Sequence, residues 1–387
     1  MLDFQNTELA FQAKSNAELR KSYYLFTMIS LPVLADVGPR LMSWAFEWNL
    51  PVQGIVKNTL FQQFCGGVSI EGTVKSSDAL YRFGVKTILD YSVEGEKSEK
   101  GFDETMQEIV QTLVHGGQQE AVAFTACKLT GLGEFDLLDK MSRLGAISEE
   151  EQQAFARVKT RLTNICQAAL DNDTPVFIDA EESWIQAAID ALAEEMMEKY
   201  NQKRPLVYTT VQLYRHDRLA YLEGLIQRSK EKGYFLGVKL VRGAYMEKEN
   251  ARAEKLGYAT PIQPNKAATD KDYDAALKLC AEHIETVAIC AGSHNERSAM
   301  YLTELMQQKK LPANHAHILF AQLFGMSDHI SFNLAHEQYN VAKYLPYGPV
   351  KAVMPYLMRR AQENTAIKGE AGRELKLLKT EMKRRFK

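Results

Sequence analysis

A chain of 387 residues with 45% hydrophobic and 25% charged content can bury a sizeable core. Its formal charge of −2 gives no global field for nucleic acid or for an acidic membrane, which excludes charge-driven binding of either as a main role. The five cysteines, Cys65, Cys127, Cys166, Cys280 and Cys290, are scattered with no C-x-x-C pair, a pattern of reduced thiols and not of a disulfide frame or zinc site.

The segment that opens Met1-Leu2-Asp3-Phe4 carries Asp3 and Glu8 before any arginine, unlike a secretory h-region or an Arg-rich transit peptide. The expectation is a cytoplasmic protein, free or peripheral on the inner face of the membrane. The most apolar stretch, Tyr23 to Ala35, is too short to span a bilayer and contains Pro32. Residues 1–84 read as a helical N-terminal arm, with apolar residues at mixed three and four spacing.

Beyond the arm, short runs of Val, Ile, Leu and Phe recur. The predicted strands are Lys86–Val93, Ala121–Lys128, Val176–Asp179, Leu206–Leu213, Phe235–Val241, Val287–Ala291, His315–Ala321 and Val341–Leu345. Between them, Asp103–Val114, Glu149–Leu170, Ser183–Tyr200, Arg215–Lys232, Lys266–Ile284 and Glu296–Gln308 have the length and pattern of helices. Alternating strand and helix implies a parallel sheet, and eight such units fit an α/β (β/α)8 barrel over 85–387; a doubly wound open sheet is the alternative. The polar stretch from Met246 to Ala259 reads as a lid loop.

A barrel carries its chemistry at the C-terminal ends of its strands. Those ends supply Lys128, Asp179, Gln212, Arg242 to Tyr245, Ser293-His294-Asn295 and Tyr344. Lys128 is either a surface lysine or a Schiff-base lysine. In Arg242-Gly243-Ala244-Tyr245, the small residues let a large flat ligand approach the backbone and Tyr245 can stack on it; a plain βα turn reads equally well. Glu181 and Glu182 are expected in the first turn of the next helix. His315 and His317 alternate along the seventh strand and so share a face, but no third ligand has matching spacing, and no metal is expected.

Near the C-terminus, Tyr356, Arg359, Arg360 and Glu363 stand at i, i+3, i+4 and i+7 and share one helix face. Paired guanidiniums can grip a carboxylate in a fixed orientation, while the bland reading is a solvated basic turn. The tail 373–387 is basic, with an apolar stripe of Leu375, Leu378, Met382 and Phe386; it suits either peripheral membrane contact or packing on its own domain.

With these motifs in order, the chain resembles the proline dehydrogenase family in its monofunctional, eukaryotic-type branch. The matching stretches are Ile88-Leu89-Asp90-Tyr91-Ser92-Val93-Glu94-Gly95, the Lys128 strand, Ile178-Asp179-Ala180-Glu181-Glu182 and Gly237 to Tyr245. They continue with Ser293-His294-Asn295, Gln322 to Met326, Lys343 to Pro349 and Pro355 to Asn364. The resemblance implies a distorted (β/α)8 TIM-like barrel that holds FAD and oxidises L-proline to Δ1-pyrroline-5-carboxylate, with a quinone as electron acceptor. It places Lys128, Arg359 and Arg360 at the substrate carboxylate, with Tyr344, Tyr356 and Leu323 around the ring. Asp179 and Lys239 fall beside the reacting flavin. Ala180, Gln212, Val241, Gly243, Ala244, Tyr245, Ser293, His294, Asn295 and Glu363 fall at the cofactor. Lys239 stands where bifunctional bacterial members have an arginine, Met246 replaces a common tryptophan, and Ser293 a threonine. Hydroxyproline dehydrogenase is the neighbouring reading within the same fold. A Schiff-base lyase, a metal-dependent hydrolase or a pure interaction protein are readings outside it.

Overall fold

Strands that bury both faces favour apolar runs; Val176–Ile178 and Val287–Gly292 are such runs, whereas Val85–Tyr91 and Val207–Gln212 carry polar residues within them. The computed structural model describes residues 2–29, 54, 57–93, 96–366 and 370–386, leaving aside the side chains of 29, 57, 361–366 and 370–371. The elements run in chain order. The N-terminal segment supplies α1 (Thr7–Ala10), α2 (Asn16–Ile29) and α3 (Ile70–Tyr81). Then come β1 (Val85–Tyr91), α4 (Glu99–Gly117), β2 (Val122–Cys127), α5 (Phe135–Ser142), α6 (Glu149–Asp171), β3 (Val176–Ile178) and α7 (Ser183–Tyr200). They are followed by β4 (Val207–Gln212), α8 (Arg218–Lys232), β5 (Leu236–Val241), α9 (Met246–Leu256), α10 (Lys266–Glu282), β6 (Val287–Gly292) and α11 (Glu296–Gln308). The chain continues through β7 (Ile318–Leu323), α12 (Asp328–His336), β8 (Val341–Tyr347), α13 (Met354–Ala366) and α14 (Glu370–Arg385).

The strands close a parallel barrel in the order β1 to β8, so the expected (β/α)8 class holds and the open sheet does not. By contacts the chain divides into two compact units, 1–94 with 322–387, and 95–321.

In the 95–321 unit, one register row runs Ala126, Phe177, Tyr208, Gly237, Ala288. Phe124 stacks on Phe177 at 4.3 Å, and Tyr208 meets Phe177 edge-on at 5.4 Å. Gly237 makes room for them, since a Cβ there would sit 2.6 Å from the Tyr208 ring. These rings form a floor beneath the strand ends. Local signals set the helices: Ser148 forms a capping box with Glu151 at the start of α6, and Gly233, at φ 73, stops α8. Asp190 of α7 receives both Nη1 and Nη2 of Arg218 from α8, at 2.7 and 2.9 Å.

In the 1–94 and 322–387 unit, β1 pairs with β8 from Val85↔Val341 to Tyr91↔Tyr347. Its core gathers Phe11, Leu19, Phe26, Phe64, Val353, Leu357 and Leu378. The stripe on α14 faces inward: Leu378 is buried, and Leu375 and Met382 pack on the same core. Phe386 lies under the Arg20 guanidinium at 4.2 Å. Leu375, Leu378 and Met382 thus pack inside this unit, as the packing reading expects, while Phe386 stays 41% exposed. Among the described residues, no helix is long and apolar enough to cross a membrane.

Three expectations are corrected. Met246–Leu256 is helix, not a lid loop; buried Glu249 accepts bonds from the Ser183 amide and hydroxyl at 2.6 and 2.7 Å and ties α9 to the start of α7. His315 and His317 precede β7, which begins at Ile318, so they do not alternate along it. Glu181 and Glu182 lie before α7, not in its first turn.

Asp190→Ala should cost about 3–5 kcal/mol, because it strands a buried guanidinium. Urea denaturation of the variant measures this; a loss below about 1 kcal/mol would show that the pair is not a strong structural contact.

Candidate functional site

Side chains two residues apart on a strand share a face, so the row above the aromatic floor is set by the same register. It contains Thr210, Lys239 and Cys290, paired in that order across β4, β5 and β6. Asp179 and Lys128 follow the last residues of β3 and β2, and the Asp179 amide donates to the Cys127 carbonyl at 2.9 Å. The structure brings three of the sequence-selected residues together here. Lys239 Nζ bonds Asp179 Oδ1, and Lys128 Nζ lies 3.6 Å from Asp179 Oδ2. Lys239 also stands 5.0 Å over the Phe177 ring. Asp179 and Lys239 are buried, whereas 19% of the Lys128 side chain is exposed. Two cations thus share one carboxylate, and the outer one is open to solvent.

This arrangement bears on the two readings of Lys128. A Schiff-base lysine must present a neutral amine, whereas Lys128 stands at ion-pair distance from a carboxylate.

The other strand ends are partly committed to structure. Gln212 donates through Nε2 to the Glu181 carbonyl at 2.6 Å and to Tyr214 Oη at 2.8 Å. Arg242 pairs with Asp270, donates to Ser298 Oγ at 2.7 Å and stacks over Tyr273 at 4.7 Å. Tyr245 occupies the left-handed region at φ 54 and leads into α9. The turn before it is open: Gly243 is exposed, and a Cβ there would meet only Met246 Sδ, at 3.9 Å. Val241 and Ala244 flank that turn and are half-buried, as is Ala180 after β3. Ser293 Oγ accepts from the Asn295 amide at 3.1 Å, and Asn295 caps α11 by accepting from the Ser298 amide at 3.1 Å; half-buried His294 lies between them.

In the other unit, α13 carries the paired arginines as expected. Tyr356 is buried, Arg359 and Arg360 are half-buried, and the Arg360 guanidinium stands 5.2 Å from the Tyr356 ring. The Glu363 side chain lies outside the described residues. Tyr344, on β8, is buried with 9% exposure. Leu323 ends β7 and is partly buried against the core that holds Tyr356. The loop after it is fixed by Gln63 Nε2, which donates to the Gly325 carbonyl at 2.8 Å; Gly325 has φ 77.

Behind that loop is a charged cluster that sequence reading missed. Lys343 is fully buried, pairs with Asp328 at 2.9 Å and donates to the Met326 carbonyl. Burial alone would raise the Asp328 carboxyl, but Lys343 and Lys14 outweigh it and hold it below the usual range. Burial pushes Lys343 down and Glu374 up. Only the apolar context of Lys343 between Ala342 and Tyr344 hinted at burial.

His317 Nδ1 lies 2.7 Å from the Ile284 carbonyl, and the His315 ring is edge-on to it at 5.6 Å. Among the described residues no group of three His, Cys, Asp or Glu is placed to hold a metal.

The model of the proline dehydrogenase family matches residues 73–373. This chain belongs to the proline dehydrogenase family. It is 31% identical to proline dehydrogenase 1, mitochondrial, of Dictyostelium discoideum, over 100% of this chain and 75% of that protein. It is 32% identical to the carbapenem antibiotics biosynthesis protein CarD of Pectobacterium carotovorum subsp. carotovorum, over 86% of each. The crystal structure of proline utilization A (PutA) from Bdellovibrio bacteriovorus inactivated by N-propargylglycine shares the fold, with a TM-score of 0.72 and 19% identity over 93% of this chain and 38% of that one. The activity of this proline dehydrogenase family member is oxidation of proline, the first step of its catabolism.

Lys239→Met should cost about 3–5 kcal/mol by leaving Asp179 short of its closest buried partner. Lys128→Met, at a longer and partly exposed contact, should cost about 1 kcal/mol or less. Urea denaturation of both variants measures the difference; equal losses would mean that Asp179 does not rank the two lysines as described.

Proposed function

We propose that this chain oxidises L-proline to Δ1-pyrroline-5-carboxylate with FAD as its cofactor and a quinone as final acceptor. The observation that carries the reading is Asp179 held between buried Lys239 and open Lys128, at strand ends of a barrel in a family that oxidises proline. FAD, when bound, would supply a hydride acceptor for proline C5 and a route for the electrons to the quinone.

The residues present suit a flavin. Gly243 and Ala244 offer an open backbone, Tyr245 a ring, and Ser293, His294 and Asn295 polar groups at the start of α11. With Ala180, Gln212, Val241 and Glu363, these are the residues we assign to the cofactor. Lys239 supplies positive charge beside the reacting ring, and Asp179 fixes it there. Arg359, Arg360 and Lys128 take the substrate carboxylate, pinning the saturated ring for hydride transfer. Tyr344, Tyr356 and Leu323 pack around that ring. With Leu375, Leu378 and Met382 of α14 packed on their own unit, any contact with a membrane that holds the quinone, at its inner face on the cytoplasmic side, falls to exposed Phe386 and to basic surface residues such as Lys376, Lys379 and Lys383.

An absorbance spectrum of the purified protein, before and after anaerobic L-proline, tests the reading. Flavin bands near about 450 nm that bleach are expected; a protein that FAD cannot reconstitute would overturn it. Faster bleaching with 4-hydroxyproline would move the assignment to hydroxyproline dehydrogenase. Arg359→Ala and Arg360→Ala should each raise KM for proline by about tenfold or more, the value of a lost charge-assisted bond, with flavin content largely kept. Steady-state kinetics check this, and an unchanged KM in both variants would refute the carboxylate role.

A further inference from the structure

Glu181 is a buried carboxylate that the reaction described above does not use. Both of its oxygens are spent on one residue: Oε1 accepts the Thr130 amide at 3.1 Å, and Oε2 accepts the Thr130 hydroxyl. Thr130 is the middle residue of the 3-10 turn Leu129–Gly131, which starts directly after Lys128; the Gly131 amide donates back to the Lys128 carbonyl at 3.1 Å. The Glu181 backbone is itself immobilised. Its amide donates to Gln186 Oε1 at 2.9 Å, and its carbonyl accepts Gln212 Nε2 at 2.6 Å. Gln186 in turn donates to Asp190, the partner of Arg218. A rigid chain of polar contacts therefore runs from α8 to the turn that carries the open lysine.

We propose that Glu181 is a positioning residue for Lys128: its carboxylate fixes the Leu129–Gly131 turn through Thr130, and its own charge sets how much of the lysine's charge a substrate carboxylate can use. The inference rests on the reading that Lys128 binds that carboxylate.

The charged groups around Glu181 act in known directions. Lys128, from the end of β2, favours its ionised form; Glu182, beside it and paired with Lys248 of α9, opposes it. Asp179, also nearby in the chain, is committed to Lys239 and Lys128. Asp190 of α7 is committed to Arg218. Burial dominates, and the Glu181 carboxyl is pushed up to about 7. The sign follows. Below that pH Glu181 is neutral and adds no negative charge of its own beside Lys128, which then meets an incoming anion with only its Asp179 contact to offset it. Above it, the ionised Glu181 offsets the lysine and repels the anion. Carboxylate binding weakens as pH rises through this range.

Cyclopentanecarboxylate has the ring and the carboxylate of the substrate without its titrating amine. Its Kd for the holoenzyme, measured by titration calorimetry at about pH 6 and about pH 8, should rise roughly three- to tenfold, up to the factor of ten that one pKa unit of coupling gives. Glu181→Gln keeps a donor and an acceptor for Thr130 but cannot ionise, so its Kd should stay low and flat. Thr130→Val should weaken binding at both pH values, and Thr130→Ser should restore it. If Glu181→Gln retains the wild-type slope, or Thr130→Val binds like wild type, the inference fails. Lys128→Met separates the two levels. Weakened binding in that variant with an unchanged slope in Glu181→Gln sinks the positioning role alone. Unchanged binding in Lys128→Met sinks the carboxylate reading and this inference with it.

Discussion

A cation taken out of water must find a partner or lose its charge, and this requirement organises the protein. Lys239 meets it with Asp179, Arg218 with Asp190, and Lys343 with Asp328. Arg161 meets it with Asp103 at 2.7 Å, Glu99 and the Leu132 carbonyl at 2.9 Å. Each pair joins segments that are distant in the chain, so each also fixes a register. Apolar packing would hold the same elements together with less positional definition, because a hydrophobic contact tolerates sliding that a bidentate ion pair does not.

The pair nearest the chemistry differs from the others in one respect. Asp190 and Arg218 saturate one another, whereas Asp179 serves two lysines unequally, one in bonding contact and one at 3.6 Å. The inner lysine is therefore structural charge, fixed in place before any ligand arrives. The outer one stands at the longer distance and is the more exposed of the two. An aromatic floor of Phe124, Phe177 and Tyr208 lies beneath, and it keeps low-dielectric material below the pair so that its field is directed outward.

Much of this was legible in the sequence. All eight strands appear within a few residues of their expected bounds, and Ser183–Tyr200 and Glu296–Gln308 are helices over the expected range, because their apolar periodicity is clear and, for the second, Asn295 caps its start. Strand-end position singled out both Lys128 and Asp179, and the structure brings them to 3.6 Å of one another. What was hidden depends on contacts between segments. Met246–Leu256 looked like loop because it is polar nearly throughout; the residue that anchors it, Glu249, is buried by a bond to Ser183 that no local pattern reports. Arg242 looked like a ligand group until Asp270 and Ser298 took it up. The histidines appeared to share a strand face, and the strand begins at Ile318, three residues too late for that. Glu181 was read as a helix-dipole charge, although its oxygens belong to a threonine 51 residues earlier.

The contacts at the chain's far ends bear on how the molecule is made. Arg385 donates to the Phe11 carbonyl, 374 positions earlier, and to that of Lys14, while α2 and α14 share one core. During synthesis the first helices emerge long before their covering partner exists. They spend that interval with an apolar face exposed, a period in which chaperones or rapid burial elsewhere must guard against aggregation. The stretch 95–321 makes its contacts mostly within itself and can begin to consolidate during that interval.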